Sequence, residues 1–109
     1  MYNKEADGLA NEVLNKFASV LRWHLGRERF MNYPLRFNFM LYSDGAHRSS
    51  TGRASAAYVI RVWWFTSPTG WLSQWILDVG ELMPLGTTAF NVELHACQIG
   101  IAKLLELLT

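Results

Sequence analysis

Three segments rich in large apolar and aromatic residues constrain the fold of this 109-residue chain more than any other feature. They span residues 35–43, 56–65 and 71–79, and their content of aromatic and β-branched residues is typical of β-strands. Polar linkers separate them, the second being Ser67-Pro68-Thr69-Gly70, a sequence of turn-forming residues. Consecutive strands joined by turns pair antiparallel. The sequence therefore predicts a three-stranded antiparallel meander.

Helical periodicity flanks the three strands on both sides. From about Ala6 to Leu25, apolar residues recur at helical spacing, and Gly26 supplies a helix stop. Thr87 or Thr88 is the expected cap of a last helix. The apolar stripe predicted for that helix consists of Phe90, Leu94, Cys97, Ile101, Leu104 and Leu108. The predicted fold class is α+β with the order α-β-β-β-α, divided into an amino-terminal helical extension (1–34) and a main domain (35–109).

Composition and charge limit the kinds of partner. Ten Lys and Arg against nine Asp and Glu give a net charge of +1, so any site for nucleic acid or anionic lipid must be local. Five Trp residues indicate either a Trp-rich core or an apolar surface that meets another protein. Cys97 is the only cysteine and cannot form an internal disulfide. Because the amino terminus also lacks a signal sequence and no run reaches membrane-spanning length, we expect an intracellular protein, cytoplasmic or organellar, that is neither secreted nor in a membrane.

Two motifs in this order carry a resemblance to a known family. The first is Phe39-Met40-Leu41-Tyr42-Ser43-Asp44-Gly45, followed by a polar loop and a second strand that begins with small residues. The second is Thr87-Thr88 followed by Glu93-Leu94 at the start of the last helix. Over about residues 35 to 108 the chain resembles the amino-terminal half of the ribonuclease H family, its first three strands and first helix. The resemblance implies a partial RNase H-like domain over residues 35–109.

The activity that this resemblance implies is Mg²⁺-dependent hydrolysis of the RNA strand of an RNA–DNA hybrid. Asp44 and Glu93 would be its catalytic residues and metal ligands. Glu93 is expected at the flank of the helix stripe, where it can reach the edge of a cleft. The predicted nucleic-acid contacts are Gly45, Arg48, Arg53 and Thr88.

The carboxylates that follow Asp44 and Glu93 in the family have no counterpart before Thr109. Asp78 and Glu81 are the nearest candidates, but the family pattern places their strand two strands from Asp44. Mg²⁺ requires near-octahedral oxygen coordination, which two carboxylates supply poorly. We therefore expect Mg²⁺ as a cofactor only if another chain completes the site.

An interaction surface follows from the same comparison. In the family, the first strand lies between the second and fourth strands, so without a fourth strand the segment 35–43 becomes an edge. A long apolar edge strand invites pairing with another chain. The predicted interface residues are Phe37, Phe39 and Leu41, and the predicted partner is another subunit or a second copy, with RNA or an RNA–DNA hybrid as a further partner.

Two functions of different class follow. In the first, the chain is a reduced, non-catalytic RNase H-like module that serves as a structural or nucleic-acid-associated subunit of a larger assembly. In the second, it is the amino-terminal portion of a split ribonuclease H, active only when a second chain completes it. An inhibitor that uses the same exposed surfaces is a third hypothesis. A double-stranded-RNA-binding domain shares the element order, but it needs a basic helix start, and the last helix has only Lys103, far from its beginning.

Overall fold

The computed structural model describes residues 3–24, 37–66 and 70–108, without the side chains of residues 37, 64–66 and 70–74. Two helices and four strands follow one another in the order α1 (Asn3–Lys16), β1 (Val20–Trp23), β2 (Phe37–Arg48), β3 (Arg53–Thr66), β4 (Gly70–Leu82) and α2 (Ala89–Leu108). The strands form one antiparallel sheet in the order β1-β4-β3-β2. The α+β class and the antiparallel meander β2-β3-β4 are confirmed. The predicted hairpin at Ser67-Pro68-Thr69 and the domain boundary at residue 34 lie outside the described residues.

The fourth strand, β1, corrects the predicted first helix, which does not continue to Leu25. Helix α1 ends at Lys16, and Phe17 has a left-handed backbone with φ of 53°, which a helix cannot accommodate in its interior. Residues 20–23 then pair with residues 77–80 of β4. Two features favour a strand here. Val20 and Trp23 have high strand propensity and Leu21 is compatible with a strand, and pairing satisfies the backbone N–H and C=O groups on the outer side of β4.

Strands β2 and β3 extend further than predicted. The segment 45–53 was expected to be a loop, but β2 continues to Arg48, which pairs with Arg53 across a turn of only four residues. Gly52 closes this turn with φ of 69°, a conformation that favours glycine. The small residues at this end of the hairpin lack strong strand propensity, and their pairing depends on the helices that pack closely over them.

The two helices cover opposite faces of the sheet. Along β3, Ser55, Ala57 and Val59 lie on the α1 face, where the Ser55 hydroxyl donates to the carbonyl of Ala10. The alternate residues of β3 lie on the α2 face, where Ala54, Ala56, Tyr58, Ile60 and Val62 are buried. Small residues on both faces allow each helix to approach the strands. The result is a three-layer arrangement with the sheet in the middle.

The face of α2 that meets the sheet differs from the predicted stripe. Val92, Ala96 and Gly100 are its buried residues, and a Cβ on Gly100 would lie 2.9 Å from Leu41 Cδ1. The stripe was predicted from large apolar residues, whereas the close approach of α2 requires small ones. Of the predicted stripe, Leu104 is partly buried, Cys97 is exposed, and Phe90, Leu94, Ile101 and Leu108 are 76%, 48%, 47% and 55% exposed. Neither described helix is both long and apolar enough to cross a membrane.

Candidate carboxylate site at the edge of β2

Asp44 lies inside β2, four residues before its end, and not at the strand end that the sequence predicted. It pairs with Ala57, which belongs to the cluster under α1, so its side chain lies on the α1 face. Strand β2 pairs only with β3 among the described strands. Asp44 therefore lies at one rim of the sheet, beside the first helix.

Glu93 reaches the same point from the other face. The backbone N–H of Gly45 donates to Asp44 Oδ1 at 2.9 Å and to Glu93 Oε1 at 3.1 Å. A Cβ at position 45 would lie 2.8 Å from Val92 Cγ1 and 3.1 Å from the backbone nitrogen of Glu93. Glycine at this position therefore lets the start of α2 approach the strand closely enough to bring the two carboxylates together.

Asp7 on α1 is the third carboxylate at this rim, and no sequence pattern pointed to it. Burial of Asp44, its side-chain hydrogen bond with Asp7 and repulsion by Glu93 together raise the pKa of Asp44 to about 6, although the Gly45 N–H acts in the opposite direction. Two carboxyl groups can share a hydrogen bond only when one of them holds a proton. The site therefore retains a proton at a pH where an ordinary aspartate has lost it. Asp7 is on the same helix flank as Asn11, four residues later, but only the tertiary packing of α1 on the sheet brings it to Asp44.

The donor chemistry suits a hard cation, but the arrangement in the described part of the chain does not. Carboxylate oxygens are the ligands that Mg²⁺ prefers. Among residues 3–24, 37–66 and 70–108, no group of three or more His, Cys, Asp or Glu side chains is placed so that it could hold a metal ion. Asp7 approaches Asp44 from the α1 side and Glu93 approaches from the α2 side. The described residues by themselves do not fit a magnesium site.

The two other candidate carboxylates are paired with basic groups elsewhere. Asp78 on β4 lies 2.9 Å from His24 Nε2 and 3.6 Å from Arg22 Nε. Glu81, also on β4, lies 2.9 Å from His95 Nε2. Strand β4 is separated from β2 by β3, so both groups lie two strands from Asp44. His24, expected on the first helix, follows β1.

The predicted nucleic-acid contacts lie at one end of the sheet but on different sides of it. Arg48 donates to Asn15 Oδ1 of α1 at 2.6 Å, and the guanidinium of Arg53 lies 4.0 Å from the centre of the Phe17 ring. Both arginines are therefore on the α1 side. Thr88 caps α2, where its Oγ1 accepts from the Asn91 N–H at 3.2 Å. Gly45 contributes its N–H to the carboxylate site, so the four residues do not form one continuous patch.

The predicted interface residues use their side chains within the molecule. Phe39 and Leu41 are partly buried and pack against the core between β3, β4 and α2, while the side chain of Phe37 lies outside the described part. On the opposite face of β2, Met40 is 42% exposed. Contact with another chain along this strand would therefore use the backbone edge first and side chains second.

Comparison with protein-family models, with curated proteins and with solved structures finds no match for this chain.

Proposed function

We propose that this protein is a reduced, non-catalytic RNase H-like module that acts as a structural or nucleic-acid-associated subunit of a larger assembly. The observation that supports it most is the position of β2 at the sheet edge, pairing with β3 alone in the described part of the chain. A twelve-residue edge strand leaves backbone donors and acceptors that another chain can satisfy. Strand β2 has few of the features that protect edge strands, since it contains no proline and its one Lys or Arg residue, Arg48, is at its end.

The state of the carboxylates supports a non-catalytic role for the isolated chain. A metal-dependent nuclease needs ionised carboxylates that converge on one point. Here Asp7 and Glu93 reach Asp44 from opposite sides of the strand, and among the described residues no group of three or more His, Cys, Asp or Glu side chains is placed to hold a metal ion.

The contact of Asp44 and Glu93 through one backbone N–H favours a second candidate, the amino-terminal portion of a split ribonuclease H. The resemblance implies that these two residues belong to one catalytic site, and they lie together at the rim that a further strand would extend. A second chain that pairs with β2 could add carboxylates beside Asp44. In that case Mg²⁺ would be held jointly by both chains, and RNA–DNA hybrid would be the substrate.

Hydrolysis of an end-labelled RNA–DNA hybrid in Mg²⁺ or Mn²⁺ tests whether this chain is catalytic by itself, and repeating the assay with any chain that co-purifies separates the two candidates. We expect no cleavage by the purified chain alone, because at most two of the carboxylates implied by the resemblance are present. The Asp44→Asn variant is the matched control, since it removes the ionisable group and keeps the shape of the side chain. Robust cleavage that disappears in this variant would exclude the non-catalytic function.

A further inference from the structure

Helix α2 carries a second apolar surface that faces away from the core. We define the outer stripe as six exposed residues of α2: Phe90, Leu94, Cys97, Ile101, Leu105 and Leu108. The five other than Cys97 are 47–76% exposed. Their spacing of three or four residues keeps them on one side of the helix. None of the six is charged. A surface of this kind on a helix that is already packed on a sheet is typical of a contact with another helix.

One side of the outer stripe lies above the β2 edge. Contacts fix the two flanks of α2, because Glu93 lies against Gly45 of β2 while His95 and Lys103 lie near Glu81 of β4 and Trp23 of β1. At about 100° per residue, and measured from Ala96 in the middle of the buried face, Cys97 lies roughly 100° and Ile101 roughly 140° around the helix on the Glu93 side, while Leu105 lies roughly 180° away. The stripe therefore extends from the side of α2 that lies above the β2 edge to its outer surface.

We propose that a second copy of this chain occupies both surfaces, with β2 pairing antiparallel to β2 of the second copy about a two-fold axis and the two outer stripes packing side by side. The proposal rests on the proposed function in one respect, namely that another chain occupies the β2 edge. A two-fold axis perpendicular to the sheet joins the two sheets into one and places both α2 helices on the same face. The helices then run antiparallel, an orientation in which their dipoles attract.

The distance between the two helices agrees with this arrangement. Helix α2 packs over β2 and β3, so its axis lies about half a strand spacing inside β2. Adjacent strands are about 4.8 Å apart, which places the two-fold axis about 2.4 Å outside β2. The two α2 axes are then about 10 Å apart, and packed helices have interaxial distances of about 8–10 Å. Pairing at the strand edge thus brings the outer stripes into contact without further adjustment.

The centres of the strand and of the stripe also coincide. The middle of β2, Phe37–Arg48, is near Tyr42, and Gly100 of α2 lies directly above Leu41. The outer stripe, from Phe90 to Leu108, is centred at position 99. A two-fold axis through Tyr42 therefore passes close to the middle of the stripe, sets Cys97 against Ile101 of the second copy, and sets Asp44 against Met40 of the second copy.

The outer stripe and the backbone edge of β2 both contribute area to the dimer. The fractional exposures of the outer stripe correspond to roughly 600 Å² of side-chain surface per copy, at the upper end of the largest apolar patch on a typical monomer. A standard interface buries about 800 Å² per partner, and the paired edges of β2 supply the remainder. A second copy is favoured over an unrelated partner because one operation satisfies the strand edge, the helix spacing and the centring together.

Disulfide trapping between two versions of the full chain tests the geometry. The wild-type chain, with Cys97, is mixed with the double variant Cys97→Ser/Ile101→Cys, and oxidised glutathione is added. We expect a covalent dimer that forms at least about tenfold faster in the mixture than with either version alone, because only the mixture sets two thiols against each other within disulfide reach. The matched control replaces Ile101→Cys by Leu85→Cys, at an exposed turn residue, and should give no such acceleration.

A second set of measurements distinguishes the proposal of a dimer from the broader proposal that another chain occupies the β2 edge. Native mass and hydrogen exchange are followed against concentration for the wild type, for Ile101→Glu and for the control Leu85→Glu. We expect Ile101→Glu to weaken association at least tenfold and to speed hydrogen exchange of the β2 amides, while the control changes neither.

Faster cross-linking of wild type alone would indicate parallel helices and overturn the proposal. Protection of the β2 amides by a different protein, with Cys97 still freely reactive, would overturn the second copy and leave the proposed function standing. A strict monomer with freely exchanging β2 amides would overturn both.

Discussion

Asp44 is the residue whose environment departs most from that of an ordinary aspartate. Its pKa is raised from 3.8 to about 6, first by burial and then by Asp7 and Glu93. The folded state therefore binds a proton more tightly than the unfolded state, and the stabilisation is complete below pH 3.8 and lost as the pH rises through about 6. We expect Asp44→Asn to raise the free energy of unfolding at pH 7 by about 1–2 kcal/mol and to flatten its pH dependence between these two values. Urea denaturation at a series of pH values measures both effects.

Asp78 provides the matched control on the same face of the sheet. Its carboxylate lies beside His24 and Arg22, so Asp78→Asn removes attraction where Asp44→Asn removes repulsion. We expect the free energy of unfolding at pH 7 to fall by about 0.5–1 kcal/mol, since the pair is partly exposed. Equal effects of the two substitutions, in sign and size, would contradict the account of the β2 rim.

The sequence anticipated part of this site for a physical reason. Asp44 and Glu93 belong to local sequence motifs. The short connections of an antiparallel meander restrict where the last helix can start, and this restriction brings Glu93 close to Asp44 at the Gly45 N–H. Asp7 could not be anticipated, because nothing local relates a residue in the first helix to the middle of β2. The separation of Arg48 and Arg53 from Thr88 was also not foreseen, since it depends on which helix covers which face.

At the scale of the elements, glycine sets the distance between α2 and the sheet. A methyl group at position 45 would clash with the Val92 side chain and with the backbone of Glu93. Backbone atoms in a helix cannot move aside as the end of a flexible side chain can. We expect Gly45→Ala to lower the free energy of unfolding by about 1–3 kcal/mol and to loosen the Glu93 contact. Gly8→Ala is the control, because a Cβ at position 8 of α1 meets nothing within 4 Å and alanine favours the helix by about 0.5–1 kcal/mol. Thermal unfolding of both variants gives opposite shifts if the close approach matters, whereas a neutral Gly45→Ala would refute it.

The boundaries of the elements were predicted less well than their order. Apolar periodicity located the helices and strands, but it continued through Phe17 into residues 20–23, where pairing with β4 decides in favour of a strand. It also assigned the large residues of α2 to the core, although the sheet side of this helix is occupied by Val92, Ala96 and Gly100. In both places tertiary contacts override a local pattern that is consistent with either outcome.

At the scale of the whole molecule, the described elements share one sheet and cover both of its faces. Leu9 of α1 is 4% exposed and packs with Ala57 and Val59 of β3, the strand that on its other face carries the core under α2. Because β3 packs against both helices, loss of α1 packing should lower the stability of the entire sheet. A segment 1–34 that acted as a separate extension would not have this effect.

We therefore predict that Leu9→Ala lowers the free energy of unfolding of the entire molecule by about 2–4 kcal/mol, the usual cost of removing a buried leucine side chain. Helical circular dichroism and tryptophan fluorescence, to which Trp63 and Trp75 of the sheet contribute, should follow one coincident transition in both wild type and variant. Leu21→Ala is the control, since Leu21 in β1 is 65% exposed and its truncation should cost less than about 1 kcal/mol. If the helical signal were lost at lower denaturant while the tryptophan transition stayed in place, α1 would be an independent extension. Coincident transitions that shift together would instead identify α1, the sheet and α2 as one cooperative unit, in which the rim carrying Asp7, Asp44 and Glu93 is held from both faces at once.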